Sequence, residues 1–167
     1  MIMIVPLLGF TNVFRYKDFD LSIFFQWSYG NDIINANKYM FERYYMPNSN
    51  MFASYINRWT PENPNSDIPR INEGSGGYYS TYGIEDGSYL RLKTVTLGYN
   101  MPKKIANKLY LQNVRIFVSG QNLWTWTKYT GMDPEVSTRN NVLTPGFDFS
   151  AYPRARTFSI GLNMSLK

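Results

Sequence analysis

The sequence predicts an all-β fold: an antiparallel transmembrane β-barrel segment, about five strands of a larger barrel, with a short helix in a long extracellular loop. Three observations lead there. Long stretches alternate apolar and polar residues with period two, the mark of a strand that is greasy on one face and wet on the other. Aromatic residues make up 17% of the 167-residue chain and charged residues only 17%, against roughly 25% charged in ordinary soluble domains. Connections between the alternating stretches are short and long in turn, as in bacterial barrels with tight periplasmic turns and long outer loops. A mean hydropathy of −0.35 excludes a run of membrane helices.

The opening "MIMIVPLLGF" is apolar. It lacks a basic leader and a small-residue cleavage site, and it is too short for a membrane helix, which needs about 20 residues. It reads as the tail of a strand or loop whose upstream partner is missing. "GFTNVFRY" gives a first strand near residues 10–16, and "YKDF" a tight turn. "FDLSIFFQWSY" then alternates over 19–29, with Phe19, Leu21, Ile23, Phe25, Trp27 and Tyr29 on one face and Phe24 the apolar exception on the other. Eleven residues at about 3.3 Å each reach roughly 36 Å, or about 25 Å of height when tilted by about 45°, which matches the apolar band of a membrane barrel.

A long outer loop follows over 30–87. "DIINANKYMFERYYM" predicts a helix ended by Pro47, while the proline- and asparagine-rich "RWTPENPNSDIPR" predicts irregular chain. The next strand, near 89–100 in "SYLRLKTVTLGYNMPKK", slips phase: Leu90 and Leu92 alternate in one register, Val95, Leu97 and Tyr99 in the other. Two readings stand side by side. A bulge near Lys93–Thr94 would bring all five onto one face, with Arg91 and Lys93 in the lumen; alternatively residues 89–92 lie above the membrane and need no bulge. A link over 100–113 with one helical turn from Lys103 to Lys108 leads to a strand near 114–127. Val114, Ile116, Val118, Trp124 and Trp126 there oppose Arg115, Ser119, Gln121 and Thr125. A second long outer loop, 128–155, precedes the last strand near 156–166.

Composition also bounds function. With no cysteine and no histidine, the chain lacks disulfides, thiolate chemistry and the commonest general base and metal ligand. The net charge of +5 is scattered, so nucleic acid is not expected. Acidic pairs of the kind glycosidases use, Asp18/Asp20, Glu85/Asp86 and Asp133/Glu135, all fall at turns or loop edges, where acids occur anyway. Asp133 and Glu135 with Asp148 form an oxygen-rich set without a recognisable calcium-loop motif. No catalytic, metal or cofactor site is predicted, and the chain is read as not an enzyme. Candidate contacts to substrate or partner are Trp59 and Tyr79 in the first long loop, beside Tyr78 and Tyr82, and Trp124, Trp126 and Tyr129 at the outer end of a strand. For Trp124, Trp126 and Tyr129 the competing reading is the interfacial aromatic girdle, to which Tyr16 and Tyr99 also belong at the periplasmic ends. The rival class is a soluble β-sandwich carbohydrate-binding module with exposed tryptophans.

Five blocks, "GFTNVFRYKDFDLSIFFQWSYGNDIINAN", "RWTPENPNSDIPR", "SYLRLKTVTLGYNMPKK", "VRIFVSGQNLWTWTKYTGMDPEV" and "YPRARTFSIGLNMSLK", resemble in order the C-terminal barrel of the SusC/RagA-like TonB-dependent outer-membrane transporters of Bacteroidetes. The resemblance implies that residues 1–167 are the C-terminal part of a barrel of about 22 strands, with the plug domain absent. It implies import of an oligosaccharide or peptide across the cell outer membrane with a SusD-like lipoprotein. It further implies outer-membrane lipids around the wall and energy from the TonB complex, gripped through a missing N-terminal region. The aromatic residue that usually closes family members is replaced here by Leu166-Lys167. Five strands cannot close a barrel, so the chain reads as a gene fragment or a truncated view of a longer protein.

Overall fold

The computed structural model describes residues 7–42, 50–70, 80–137 and 146–166. These residues form, in chain order, β1 (Leu7–Tyr16), β2 (Phe19–Ser28), β3 (Asp32–Asn35), α1 (Ala36–Phe41), β4 (Ile84–Asp86), β5 (Tyr89–Asn100), α2 (Lys103–Lys108), β6 (Leu111–Thr127), β7 (Phe147–Asp148) and β8 (Thr157–Leu166). The chain divides into two units: a sheet unit of 1–29, 88–127 and 154–167, and a loop unit of 30–87 and 128–153.

The sheet unit is a five-stranded antiparallel meander in the order β1-β2-β5-β6-β8. Register follows from the period-two pattern, because a slip of one residue would exchange the faces of a strand. Phe19 pairs Tyr99, which pairs Ile116, which pairs Leu162; Leu21, Leu97, Val118 and Ile160 form the next row; Trp27, Leu90 and Trp126 form a row near the other end. The opposite face carries rows such as Ser22-Thr96-Ser119-Ser159 and Gln26-Arg91-Thr125. Thr96 Oγ1 donates to Ser119 Oγ at 3.1 Å within one such row. The apolar face is open: Phe158 and Ile160 of β8 are 73% and 79% exposed. The soluble sandwich reading needs a second sheet against this face, and in the described residues none covers it.

The phase slip of β5 has its cause in the register. Phe24 pairs Thr94 and the adjacent Phe25 pairs Leu92, so Lys93 is skipped. Across the other edge Leu92 pairs Trp124 and Thr94 pairs Gln121, skipping Lys93 again together with Asn122 and Leu123 of β6. This bulge puts Leu90, Leu92, Val95, Leu97 and Tyr99 on one face and Arg91 in a polar row, where it is 3% exposed. Of the two readings of the slip, the bulge is the one the pairing shows.

Two aromatic exceptions lie on the polar face over glycines. The Phe24 ring covers Gly9 and the Phe117 ring covers Gly161, where an added Cβ would meet each ring too closely. Arg115 similarly lies over Gly98 and reaches Asp20 two strands away, with Nη2 2.6 Å from Oδ2 and Nε 3.2 Å from Oδ1. Asn100 Nδ2 donates to the same carboxylate at 2.8 Å.

The short connections both leave one end of the sheet. Lys17-Asp18 joins β1 to β2, and the stretch containing α2 joins β5 to β6, with the Met101 N–H donating to the Val114 carbonyl at 2.9 Å. α2 spans the residues expected of it. β1 and β6 begin three residues earlier than the sequence pattern alone places them, at Leu7 and Leu111. The helix read from Asp32 onward is corrected: Asp32–Asn35 is strand, and only Ala36–Phe41 is helical, with residues 43–47 outside the described residues. Ile33 is the reason. Fully buried at 0% exposure and paired to Glu85 of β4, it serves a small sheet rather than a helix face.

Within the described residues, no helix is long and apolar enough to cross a membrane.

Candidate functional site

The loop unit is built from two excursions of the chain that share one three-stranded sheet. β3 pairs β4 antiparallel and β7 parallel, so residues from the first excursion are hydrogen-bonded to residues from the second. The sheet is tiny, and polar side chains do much of the joining.

Glu85 of β4 is the centre of this network. Its carboxylate meets Lys38 Nζ of α1 at 2.9 Å and accepts from Asn35 Nδ2 at 3.0 Å. It also accepts the backbone N–H and the hydroxyl of Thr130 from the second excursion, both at 2.8 Å. Burial pushes the Glu85 carboxyl up, but the Thr130 N–H, Lys38, the Thr130 hydroxyl and Asn35 outweigh it and hold the group below its ordinary range. Glu42 forms a second node, accepting from Ser54 Oγ at 2.6 Å and Tyr82 Oη at 2.5 Å. Tyr39 Oη accepts the N–H groups of Ser80 and Gly83 and donates to the Ser80 carbonyl.

A third node is Tyr129 with Asp148. Tyr129 is 6% exposed and its hydroxyl donates to Asp148 Oδ2 at 2.6 Å. Burial first, then the Asp148 carboxylate, drives the phenol well above its usual range, so it stays a donor at any physiological pH. Beside these nodes lies a cavity of about 680 Å³ lined by Lys38, Phe41, Glu42, Phe52, Met132 and Tyr152 among others. Its aromatic walls with one cation, Lys38, and two carboxylates, Glu42 and Asp148, are the mixture that small polar ligands find in binding clefts.

The candidate residues separate on this geometry. Trp124 and Trp126 stand on the apolar face of the sheet at its insertion end, the end from which the two long excursions leave, with rings 6.5 Å apart and about half exposed. They belong to the same band as Trp27, away from the polar face. Tyr129 is committed to Asp148 and offers little surface. Trp59 is exposed in the loop unit, its backbone N–H donating to the Ile68 carbonyl at 2.8 Å. Tyr79 lies outside the described residues. Asp133 serves its own loop, accepting the Glu135 N–H at 2.9 Å, and no three acidic side chains among the described residues gather as a metal site. The sequence reading missed Glu85 as a hub, Glu42, and the cavity.

A sheet with one predominantly apolar face, aromatic residues at both ends of it, and long excursions leaving a single end is a segment of transmembrane barrel wall. No family model matches the chain. It is 43% identical over 94% of its length to the TonB-dependent receptor P3 of Formosa agariphila, and 38% identical over 94% to receptor P26 of the same organism. It is 30% identical over 95% of its length to the TonB-dependent receptor SusC of Bacteroides thetaiotaomicron. Among solved structures it superposes on the RagAB peptide importer in its closed-closed state with a TM-score of 0.78 and 26% identity, over 95% of this chain and 17% of that one. The open-open state gives 0.74 and 25%, over 96% and 17%. The chain belongs, as a barrel segment, to the SusC/RagA-like TonB-dependent receptors. It spans 16% of the length of the two Formosa receptors and 15% of SusC.

Proposed function

We propose that this segment forms part of the wall and the extracellular loops of a TonB-dependent importer in the cell outer membrane, acting with a SusD-like lipoprotein on an oligosaccharide or peptide. The carrying observation is the apolar face shared by the rows of all five strands, which admits only Asn12 and Gly120 among its paired positions and contains no carboxylate. A face of that kind is stable against lipid and costly against water. The segment's part in transport is passive: it supplies wall and rim, while the energy comes from the TonB complex acting elsewhere in the protein. The acids best placed for chemistry, Glu42, Glu85 and Asp148, are occupied in holding the loop unit together, which supports a binding rather than a hydrolytic role.

Ligand or lipoprotein contact falls to the loop unit, through Trp59, Tyr79 of the same long excursion and the cavity beside Phe52 and Tyr152. Trp124 and Trp126 fit the girdle. The test is uptake of labelled oligosaccharides and peptides by cells whose receptor gene is deleted and then restored. Uptake that returns with the intact receptor, stops with a protonophore, and falls with Trp59→Ala or Tyr152→Ala at unchanged outer-membrane level supports the proposal. Full uptake in the deletion strain for both substrate classes would sink it.

A further inference from the structure

The apolar face carries one guanidinium at its insertion end. Thr157 pairs Gln121 on the polar face, so alternation turns the preceding Arg156 to the apolar side, and its guanidinium lies 5.7 Å from the centre of the Trp124 ring. Trp126 stands beside Trp124, at 6.5 Å between ring centres. The arrangement is held from below. Asn122, in the β6 part of the bulge and in the left-handed region at φ 53°, donates its amide to the Ala155 carbonyl at 3.1 Å, fixing the residue before Arg156. Arg156 is exposed and forms no ion pair among the described residues. The five strands place no Asp or Glu on this face that could neutralise it.

A charge on a lipid-facing surface is tolerated near the interface and costly at depth. A planar guanidinium seated on an indole keeps a free fork of donors, and that fork matches the oxygens of a phosphate. The other end of the sheet gives the contrast: Lys17 lies 5.4 Å from the Tyr16 ring, a point charge on a flexible stem without that fork. Charge, aromatic platform and the fixed backbone converge on one occupant.

We propose that Arg156, with Trp124 and Trp126, binds the phosphate-bearing headgroup of an anionic membrane lipid at the insertion end of the sheet. This inference rests on the membrane reading above.

The complete receptor carrying this segment is reconstituted in phosphatidylcholine nanodiscs with and without phosphatidic acid. Retention of phosphatidic acid is read by native mass spectrometry. The expected result is a loss of about tenfold in affinity for Arg156→Gln, the size of one charge-assisted contact. Arg156→Lys, which keeps the charge and loses the fork, falls between, and Lys17→Gln behaves as wild type. Heat-modifiable gel mobility confirms that each variant is folded. Unchanged affinity in Arg156→Gln, or an equal loss in Lys17→Gln, overturns the site and leaves the membrane reading standing. Brominated acyl chains test that reading separately. They should quench the wild type more than the Trp124→Phe/Trp126→Phe variant, and no such difference would overturn both.

Discussion

Removing the charge of Glu85 should release the loop unit without disturbing the sheet. The carboxylate accepts from Lys38, Asn35 and twice from Thr130, and these partners come from both chain excursions. Glu85→Gln keeps the shape but turns an amide NH₂ toward donors on one side. One partner of a mostly buried, hydrogen-bonded charge pair is then missing, a change that costs about 3 kcal/mol. That corresponds to roughly a hundredfold rise in local opening. Hydrogen exchange at the Thr130 amide, which donates to Glu85, reads it directly, with amides of β5 and β6 as the internal control. The wild type should show the same loss with acid. A carboxyl held below its ordinary value of 4.5 contributes stability in full above that value, and loses it as the pH falls through the lower folded value. Thr130 protection should therefore be flat from neutral pH to about 5 and fall only below that. Glu85→Gln should remove the acid step altogether. Equal Thr130 exchange in variant and wild type, or a step that survives the substitution, would refute the hub.

Three further outcomes follow from the register and the side chains. Deleting Lys93 should leave assembly intact, because the register skips it on both edges and its loss keeps every β5 face; deleting Ser22 from the unbulged β2 turns half of that strand over and should abolish heat-modifiable mobility. Gly98→Ala sets a Cβ 2.6 Å from Arg115 Nη2 and 2.7 Å from the Asp20 oxygens. It should cost about 1 kcal/mol in urea unfolding and erase the coupling between Asp20→Asn and Arg115→Gln in a double-mutant cycle. Tyr129→Phe leaves the buried Asp148 without its hydroxyl donor and should destabilise the loop unit by about 1–3 kcal/mol, seen as faster proteolysis there with the sheet unaffected.

The strands were legible because alternation is a local signal that lipid on one side and polar groups on the other impose residue by residue. Even the bulge could be located from the phase of Leu92 against Val95. Sequence pattern failed where structure depends on partners far along the chain. β3, β4 and β7 have four, three and two residues, too few for a period to show, and β7 joins β3 from more than a hundred positions away. Ile33 and Ile34 therefore read as the start of a helix. Tyr129 read as a rim aromatic because it follows the alternation of β6 by two residues, while its fate is set by Asp148. Glu85 sat in an acidic pair at a loop edge, and nothing nearby in sequence announced Lys38 or Thr130.

The parallel pairing of Ile34 with Phe147 and Asn35 with Asp148 has a bearing on how such receptors diversify. Loops that fold independently can be traded one at a time between relatives, each carrying its own recognition. Here the two excursions share a sheet and the Glu85 carboxylate, so replacing one alone breaks the contacts of the other. A chimera that borrows residues 30–87 from another receptor while keeping 128–153 would bring half of a fitted joint. Such a graft is expected to hold only when both halves travel together.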